Sequence, residues 1–341
     1  MAAKPPKVTY LFGAGASANA MPIISNLGNR LHWVIDSING NFKNDASYTL
    51  ATSSSSIRGE VKESLISALR GLQASCSNHS TIDTYAKKLA INSRWGDEQM
   101  LRYLLALYFN LEQKMTGLDK RYDAFLVSLI SQHPYALPDN IKFLSWNYDL
   151  QIEAAHKGIT GDENPQASLT LFNNKVDDLK PSKFCSVKLN GGAYFTNQLT
   201  QGYFPLVRQL FDSSISFLDL DFDQILIDYF EFQKHRQDSI ENLNLRFAWS
   251  QHPTRINTIS EVYKDTEVLV VIGYSFPFFN REVDRQVIGA MNLRKIYIQD
   301  PNAKSILFKF RSILPMYEEQ GIEIVLIAEE NPRDFFLPHE L

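Results

Sequence analysis

Val8-Thr9-Tyr10-Leu11-Phe12-Gly13-Ala14-Gly15-Ala16-Ser17 is the stretch whose reading decides the fold. Five residues in a row that are apolar, aromatic or β-branched, without the alternation of a half-exposed strand, read as a strand covered on both faces. The run stops at two glycines, which read as a tight turn at the strand's C-terminal end, and a helix is expected to follow. From Ser25 the residues Leu27, Leu31, Val34, Ile35 and Ile38 recur at helical spacing, with Ser25 suited to the N-cap and Gly40 to the stop. Gly13, Gly15 and Ala18 satisfy the G-x-G-x-x-G/A dinucleotide pattern. The first glycine permits the turn, the second lets a pyrophosphate approach the backbone, and the small third residue lets helix pack on strand. A plain strand-to-helix connection would use the same turn. The acidic ribose ligand expected about 20 residues further on would be Asp36, which falls inside the helical period rather than at the tip of a second strand. An ordinary nicotinamide dehydrogenase is therefore a poor fit.

Outward from this stretch, residues 39 to 60 are rich in Asn and Ser, ending in Ser53 to Ser56, and read as a loop. Residues 61 to 135 keep a helical period throughout: Val61, Leu65, Leu69 and Leu72, then Ile82, Tyr85 and Leu89, then Leu101, Leu104, Leu105, Tyr108 and Leu111, then Phe125 and Leu129. Strand-type sequence returns at Ile141 to Ser145 and recurs at Phe184 to Leu189, Val268 to Ile272, Ile296 to Ile298 and Ile322 to Ile327. Helical segments separate the later ones, most clearly Asn280 to Met291 and Ala303 to Ile313. The expectation is an α/β fold, a Rossmann-like doubly wound parallel sheet, from residues 1–40 and 138–341. A helical insertion over 41–137 and a smaller one over 193–245, centred on Phe222 to Phe232, would interrupt it.

The chain of 341 residues carries a net charge of −4, which gives no general attraction to nucleic-acid backbones or anionic membranes. The beginning MAAKPPKVTYLFGAGAS lacks the apolar run of a secretory signal, and no stretch has the roughly 18 uninterrupted apolar residues of a membrane helix, so a cytoplasmic protein is expected. The two cysteines, Cys76 and Cys185, stand far apart and form no CxxC pair from which to build a zinc site; no metal is expected.

Polar residues gather where the strands end. Trp146-Asn147-Tyr148-Asp149 follows the strand from Ile141. Asn147 has an amide that donates and accepts, suited to a ribose hydroxyl or a water, and Asp149 could orient it. Asp149 equally suits an N-cap, and Asn147 a turn. Lys188-Leu189-Asn190-Gly191-Gly192 ends the next strand. Gly273-Tyr274-Ser275 ends the strand from Val268, with Asn280 opening the following helix, and Asp300-Pro301-Asn302 ends the strand from Ile296. In open α/β sheets ligands bind outside such ends.

These motifs, in this order, resemble the sirtuin-like NAD-binding family, especially its bacterial antiviral branch. GAGAS resembles the family's phosphate-binding motif, WNYD its asparagine-bearing motif, KLNGG its histidine-glycine motif and VIGYSFP its later strand-end motif. The most specific single stretch is GYSFPFFNREVDR. The resemblance covers the core and not the helical insertions. It implies cleavage of NAD+ to nicotinamide and ADP-ribose in anti-phage defence. Asn147 and Tyr148 would sit at the nicotinamide ribose and the attacking water. Gly13, Ala14, Gly15, Ala16 and Ser17 would hold the pyrophosphate, and Gly273, Tyr274, Ser275, Asn280, Asp300 and Asn302 the adenosine end. It also implies homo-oligomers and a translocase-type ATPase or Argonaute-like partner, with no direct contact to nucleic acid or membrane.

Two departures shape the expectation. The family's deacylases carry a four-cysteine zinc ribbon, which two cysteines cannot make, so NAD+ hydrolysis is favoured over lysine deacylation. Asn190 stands where the family has its catalytic histidine. A carboxamide takes no proton near neutral pH, so a general-base contribution typically worth about 10²–10⁴ in rate is lost, leaving Asn147, Asp149 and Asn190 as the catalytic candidates. The alternative is a non-catalytic module that binds NAD or ADP-ribose. No other histidine is an obvious replacement: His79 precedes a helix cap, and His156, His235 and His252 read as surface residues.

Overall fold

A computed structural model describes residues 5–22, 26–41, 55–131, 136–161, 166–194, 196–197, 202–203, 209, 211–212, 215–234, 243–330 and 332–341. The principal strands are β1 (Val8–Phe12), β2 (Ile141–Ser145), β3 (Cys185–Lys188), β4 (Val268–Ile272), β5 (Lys295–Gln299) and β6 (Glu323–Ile327). The helices are α1 (Leu27–Asn41), α2 (Ser55–Asn78), α3 (Ile82–Ile91), α4 (Trp95–Thr116), α5 (Lys120–Leu129), α6 (Gln151–Thr160), α7 (Gln166–Phe172), α8 (Phe222–Lys234), α9 (Pro253–Tyr263), α10 (Arg281–Gly289), α11 (Ala303–Ile313) and α12 (Met316–Glu319). They fall into two compact units. One comprises Met1–Ala20, Leu118–Gly191 and Arg246–Leu341, the other Met21–Gly117 and Gly192–Leu245.

The first unit holds a six-stranded parallel sheet in the order β3-β2-β1-β4-β5-β6. This is the doubly wound, Rossmann-like arrangement the sequence pattern leads one to expect. The chain runs outward from β1 to β3, then returns to the other side of β1 and continues to β6. Side chains alternate between two apolar layers, which explains the unbroken apolar runs. Val8, Tyr10, Phe12, Phe143, Val270 and Ile272 pack with α5, α6 and α7. Leu11, Leu144, Val187, Leu269, Val271 and Ile298 pack with α9, α10 and α11. Part of the first layer is made by no helix: Phe335 in the C-terminal segment is 3% exposed and rings with Phe12, Tyr122 and Phe125.

The second unit is built of α1–α4 and α8, with a short pairing of Thr196–Asn197 on Gly202–Tyr203. Gln73 of α2 donates to the Gly28 carbonyl of α1 at 3.0 Å, Arg30 reaches the fully buried Glu112 of α4 at 2.6 Å, and Tyr103 of α4 stacks on Phe232 of α8.

The boundaries differ from those read in the sequence. The helix Leu27–Asn41, expected to pack on the sheet directly after the glycine turn, belongs to the helical unit, and a single 3-10 turn, Ala14–Ser17, follows β1 instead. Conversely α5 belongs to the sheet, because Tyr122, Phe125 and Leu126 fill its first layer. Helix α1 continues through Gly40 to Asn41, and α2 begins at Ser55, inside the stretch expected as loop. Ser25 lies outside the described residues.

The glycines after β1 and β4 are required by each other. A Cβ on Gly13 would lie 2.5 Å from the Gly273 carbonyl oxygen, and one on Gly273 would lie 2.3 Å from the Ala16 nitrogen. Gly273 also has φ +58, a conformation other residues adopt at a cost. Gly273→Ala is expected to lower the unfolding free energy in chemical denaturation by about 3 kcal/mol or more, because it combines the backbone penalty with a backbone clash. Gly161→Ala, at φ +66 with open space around it, is expected to lose only about 1 kcal/mol.

Candidate functional site

Parallel register sets the strand ends in one line. Phe12 lies beside Ser145 and Ile272, Ser145 beside Lys188, Ile272 beside Gln299, and Gln299 beside Ile327. Every strand-end loop singled out in the sequence leaves from that line. The ladder continues one residue beyond each strand: Trp146 N–H donates to Phe12 C=O at 3.0 Å, Leu189 to Ser145 at 2.8 Å, Gly13 to Ile272 at 3.0 Å and Gly273 to Gln299 at 3.0 Å.

At the middle of this edge, side chains from two loops and helix α5 meet. Asn147 Nδ2 donates to Ser17 Oγ at 3.3 Å, and the Tyr122 hydroxyl shares a hydrogen bond with the same oxygen at 3.0 Å. In the same loop as Asn147, Asp149 Oδ1 accepts the Gln151 N–H at 3.2 Å, so its carboxylate starts α6. Burial raises the Asp149 pKa, opposed by the Lys188 ammonium and the hydrogen bonds from Gln151 and Ser17. Lys188 is itself buried. Its Nζ lies 2.9 Å from Glu153 and also donates to the Asp149 backbone carbonyl, while Asn173 donates to Glu153 at 2.7 Å. Beneath the glycine turn, the Arg121 guanidinium grips Asp119 with Nε and Nη2, and Nη2 reaches the Ala16 carbonyl at 2.9 Å.

A second network ties the loop after β2 to the loop after β4. Trp146 Nε1 donates to Asp284 Oδ1 at 3.0 Å, the Tyr274 hydroxyl to Asp284 Oδ2 at 2.6 Å, and Asn280 Nδ2 to the Tyr274 oxygen at 3.1 Å. The Trp146 and Tyr274 rings stack above this carboxylate. Burial pushes the Asp284 pKa up to about 7, held back by the hydrogen bonds from Tyr274 and Trp146.

The residues singled out in the sequence therefore have unequal access. Ala14 is exposed at the glycine turn, but the Gly15 N–H donates to the Gly273 carbonyl at 2.9 Å and the Ala16 N–H to Gly13 at 2.9 Å. Backbone of the β4 turn thus occupies the approach expected of a pyrophosphate at Gly15. Tyr274 and Asn280 are buried and bonded to the Asp284 network, whereas Ser275 is exposed. Asp300 caps its own turn by accepting the Asn302 N–H at 2.7 Å, and Asn302 is exposed. The Tyr148 hydroxyl donates to the Arg246 carbonyl. Asn190 is 5% exposed; its Nδ2 lies 3.5 Å from the Trp146 carbonyl, and its Oδ1 has no hydrogen-bond partner among the described residues. Beyond Gln299 and Ile327, at the same edge, an open cavity of about 710 Å³ is walled by Glu329, Arg333, Asp334 and Phe336.

His156, expected at the surface, is buried: its Nδ1 lies 2.8 Å from Ser168 Oγ and its ring meets Phe172. It sits on the inward face of α6, next to Ala155. His252 is the exposed N-cap of α9, His79 is half-buried against Ser75, and His235 lies outside the described residues. Neither a scan of protein-family models nor a search of curated proteins returns a match to the chain.

Arg121, Tyr122 and Glu153 lie outside every motif read in the sequence, and Lys188 and Asp284 stand inside KLNGG and GYSFPFFNREVDR without a role of their own there. Their signal was a polar residue on an apolar stripe: Asp284 shares the inward face of α10 with Val283, Val287 and Ile288, and Arg121 adjoins Tyr122 and Phe125. Asp284 titrates near 7 when folded against an ordinary 3.8. Between those values the folded state keeps a proton that the unfolded chain has released, so the stability Asp284 contributes is fully present below about pH 4 and is lost as pH rises to about 7. Asp284→Asn preserves an acceptor for Trp146 and supplies a donor toward Tyr274. It is expected to flatten that part of the stability profile by up to about 4 kcal/mol in denaturation series taken from pH 4 to 8.

Proposed function

We propose that the sheet unit binds NAD+ along the line of strand ends and is a sirtuin-like NAD+ glycohydrolase of a bacterial anti-phage system, its turnover impaired by Asn190. The observation that carries the reading is the hydrogen bond from Asn147 to Ser17, which joins the asparagine-bearing loop to the glycine turn at the middle of a parallel sheet's C-terminal edge. On this reading the exposed side of the turn at Ala14 faces the pyrophosphate. The adenosine end lies toward Ser275, Asp300, Asn302 and the cavity beyond Gln299, and the nicotinamide ribose toward Asn147 and Asn190.

Cleavage of the nicotinamide glycosidic bond develops positive charge on the ribose and releases a good leaving group. Positioning and electrostatic stabilisation can therefore supply much of the acceleration. The Asn147 amide is held by Ser17, and Ser17 by Tyr122, so this group is fixed in advance. The Asn190 carboxamide takes no proton from the attacking group. That same residue favours a second reading, in which the unit binds NAD+ or ADP-ribose without cleaving it and uses occupancy to control an assembly with copies of itself, an ATPase or an Argonaute-like protein.

Calorimetry with NAD+ and a nicotinamide-release assay test both. The protein is expected to bind NAD+, Asn147→Ala to weaken that binding about tenfold, and Asn190→His to raise nicotinamide release by about 10²–10⁴. Tight binding with no release from Asn190→His would select the non-catalytic reading. Absence of binding would end both.

A further inference from the structure

The two edges of the sheet are finished differently. At β3 the Ser186 N–H donates to the Asn174 side chain at 2.9 Å and the Asn174 N–H to the Ser186 carbonyl at 3.2 Å, and all of Cys185–Lys188 is buried. A loop residue there takes the place of a further strand. At β6 none does. Alternate residues of a parallel ladder turn both backbone groups to the same neighbour. The Glu323 N–H donates to Arg294 at 3.3 Å and the Ile327 carbonyl accepts the Asp300 N–H at 3.1 Å, so Glu323, Val325 and Ile327 serve β5. Ile324 and Leu326 turn an N–H and a C=O each the other way, and nothing among the described residues bonds them. No residue of Glu323–Ile327 is fully buried.

Open edges are ordinarily blunted by a bulge, a proline or a free charge within the strand. β6 has none of these. It pairs with β5 in unbroken register, contains no proline, and its one charged residue, Glu323, is taken by Lys295 at 3.0 Å. The flanks, by contrast, are acidic: residues 312–332 hold five glutamates and neither lysine nor arginine. Glu319 before the strand and Glu329 and Glu330 after it are exposed. Arg333, the next cation along the chain, shares the wall of the cavity with Glu329, Glu330 and Asp334, so the surroundings stay negative. Antiparallel pairing of two copies about Val325 would bring the glutamate ends of one against those of the other, and like charges across a strand pair oppose it.

We infer that β6 receives an added strand from a partner protein, an extended segment with basic residues at both ends and apolar residues between. The free N–H and C=O groups of Ile324 and Leu326 supply the main-chain bonds of such an addition. The side chains of the strand set its pattern. Ile324 and Leu326 pack on the apolar layer of α9, α10 and α11, and Val325 on the opposite layer, all three half-buried, so apolar side chains on the added strand would prolong both layers. The glutamates on either side select a cationic flank and turn away a second copy of this edge. This surface involves neither the line of strand ends nor any nucleotide.

The test uses the full chain and a synthetic peptide of alternating valine and threonine flanked by paired lysines, without nucleotide. Amide hydrogen exchange resolved to single residues reads the edge directly. In the free protein the Ile324 and Leu326 amides are expected to exchange much faster than that of Val325, and the peptide to slow both by about tenfold or more. By calorimetry, Glu329→Lys combined with Glu330→Lys should weaken the peptide by about tenfold or more. Leu326→Pro removes an outward donor without touching the β5 ladder and should abolish binding, its fold being checked by the Val325 amide. Should proline disturb the strand, the glutamate variants, at exposed positions, carry the test. Four results overturn the inference: no binding of the lysine-flanked peptide; equal binding of a glutamate-flanked or backbone N-methylated peptide; Ile324 and Leu326 amides already protected in the free protein; or a dimer in sedimentation that Leu326→Pro dissociates, which would give the edge to a second copy.

Discussion

The close approach of two turns governs the sheet unit. Gly13 and Gly15 after β1 and Gly273 after β4 leave no room for a Cβ on any of them, and the Gly15 N–H closes on the Gly273 carbonyl. Because β1 and β4 are neighbours at the point where the chain reverses its direction across the sheet, this contact fixes the middle of the edge from which the other loops depart. Ser17 is set by the same turn, and Asn147 and Tyr122 bond to Ser17. The site is thus an extension of backbone packing. Its polar side chains are positioned by a constraint that contains no side chain at all.

Around that constraint the unit keeps several ionisable groups out of water. Asp284 bridges Trp146 and Tyr274, Lys188 meets Glu153, and Arg121 meets Asp119, each tying a strand-end loop to a neighbouring element. Replacing such groups by apolar residues of similar volume would often be tolerated, while removing one member of a pair would not, because the other would be left charged and buried. Lys188 also holds the Asp149 carbonyl and Arg121 the Ala16 carbonyl, so all three clusters restrain strand-end loops.

Strands were legible in the sequence because two-sided burial writes itself as an unbroken apolar run, as in Val8–Phe12 and Val268–Ile272. The convergence of Gly13, Asn147, Asn190, Gly273 and Asp300 on one edge followed from the parallel arrangement those runs imply. What the pattern did not carry was allegiance. Helices α1 and α5 have similar amphipathic periods, and only the partners they meet assign one to the helical unit and the other to the sheet. Nor does the glycine spacing distinguish a turn opened for phosphate from one opened for another turn; at Gly15 the neighbour is Gly273. His156 was misplaced for a related reason, since a hydroxyl on α7 supplies the hydrogen bond that lets imidazole enter the core.

The segment that ends in Phe335 has an implication for biosynthesis. The Phe12 side chain belongs to the first strand, yet the ring that completes its surroundings stands more than 300 positions later, and Gln299 fastens that segment by accepting the Phe336 N–H and donating to the Asp334 carbonyl. Contacts so distant along the chain form late and slowly. While translation proceeds, the part of that layer not closed by α5, α6 and α7 stays open, aromatic surface of the kind that unfolded neighbours adhere to. The nascent polypeptide can finish the layer over Phe12 only after residue 335 clears the ribosome.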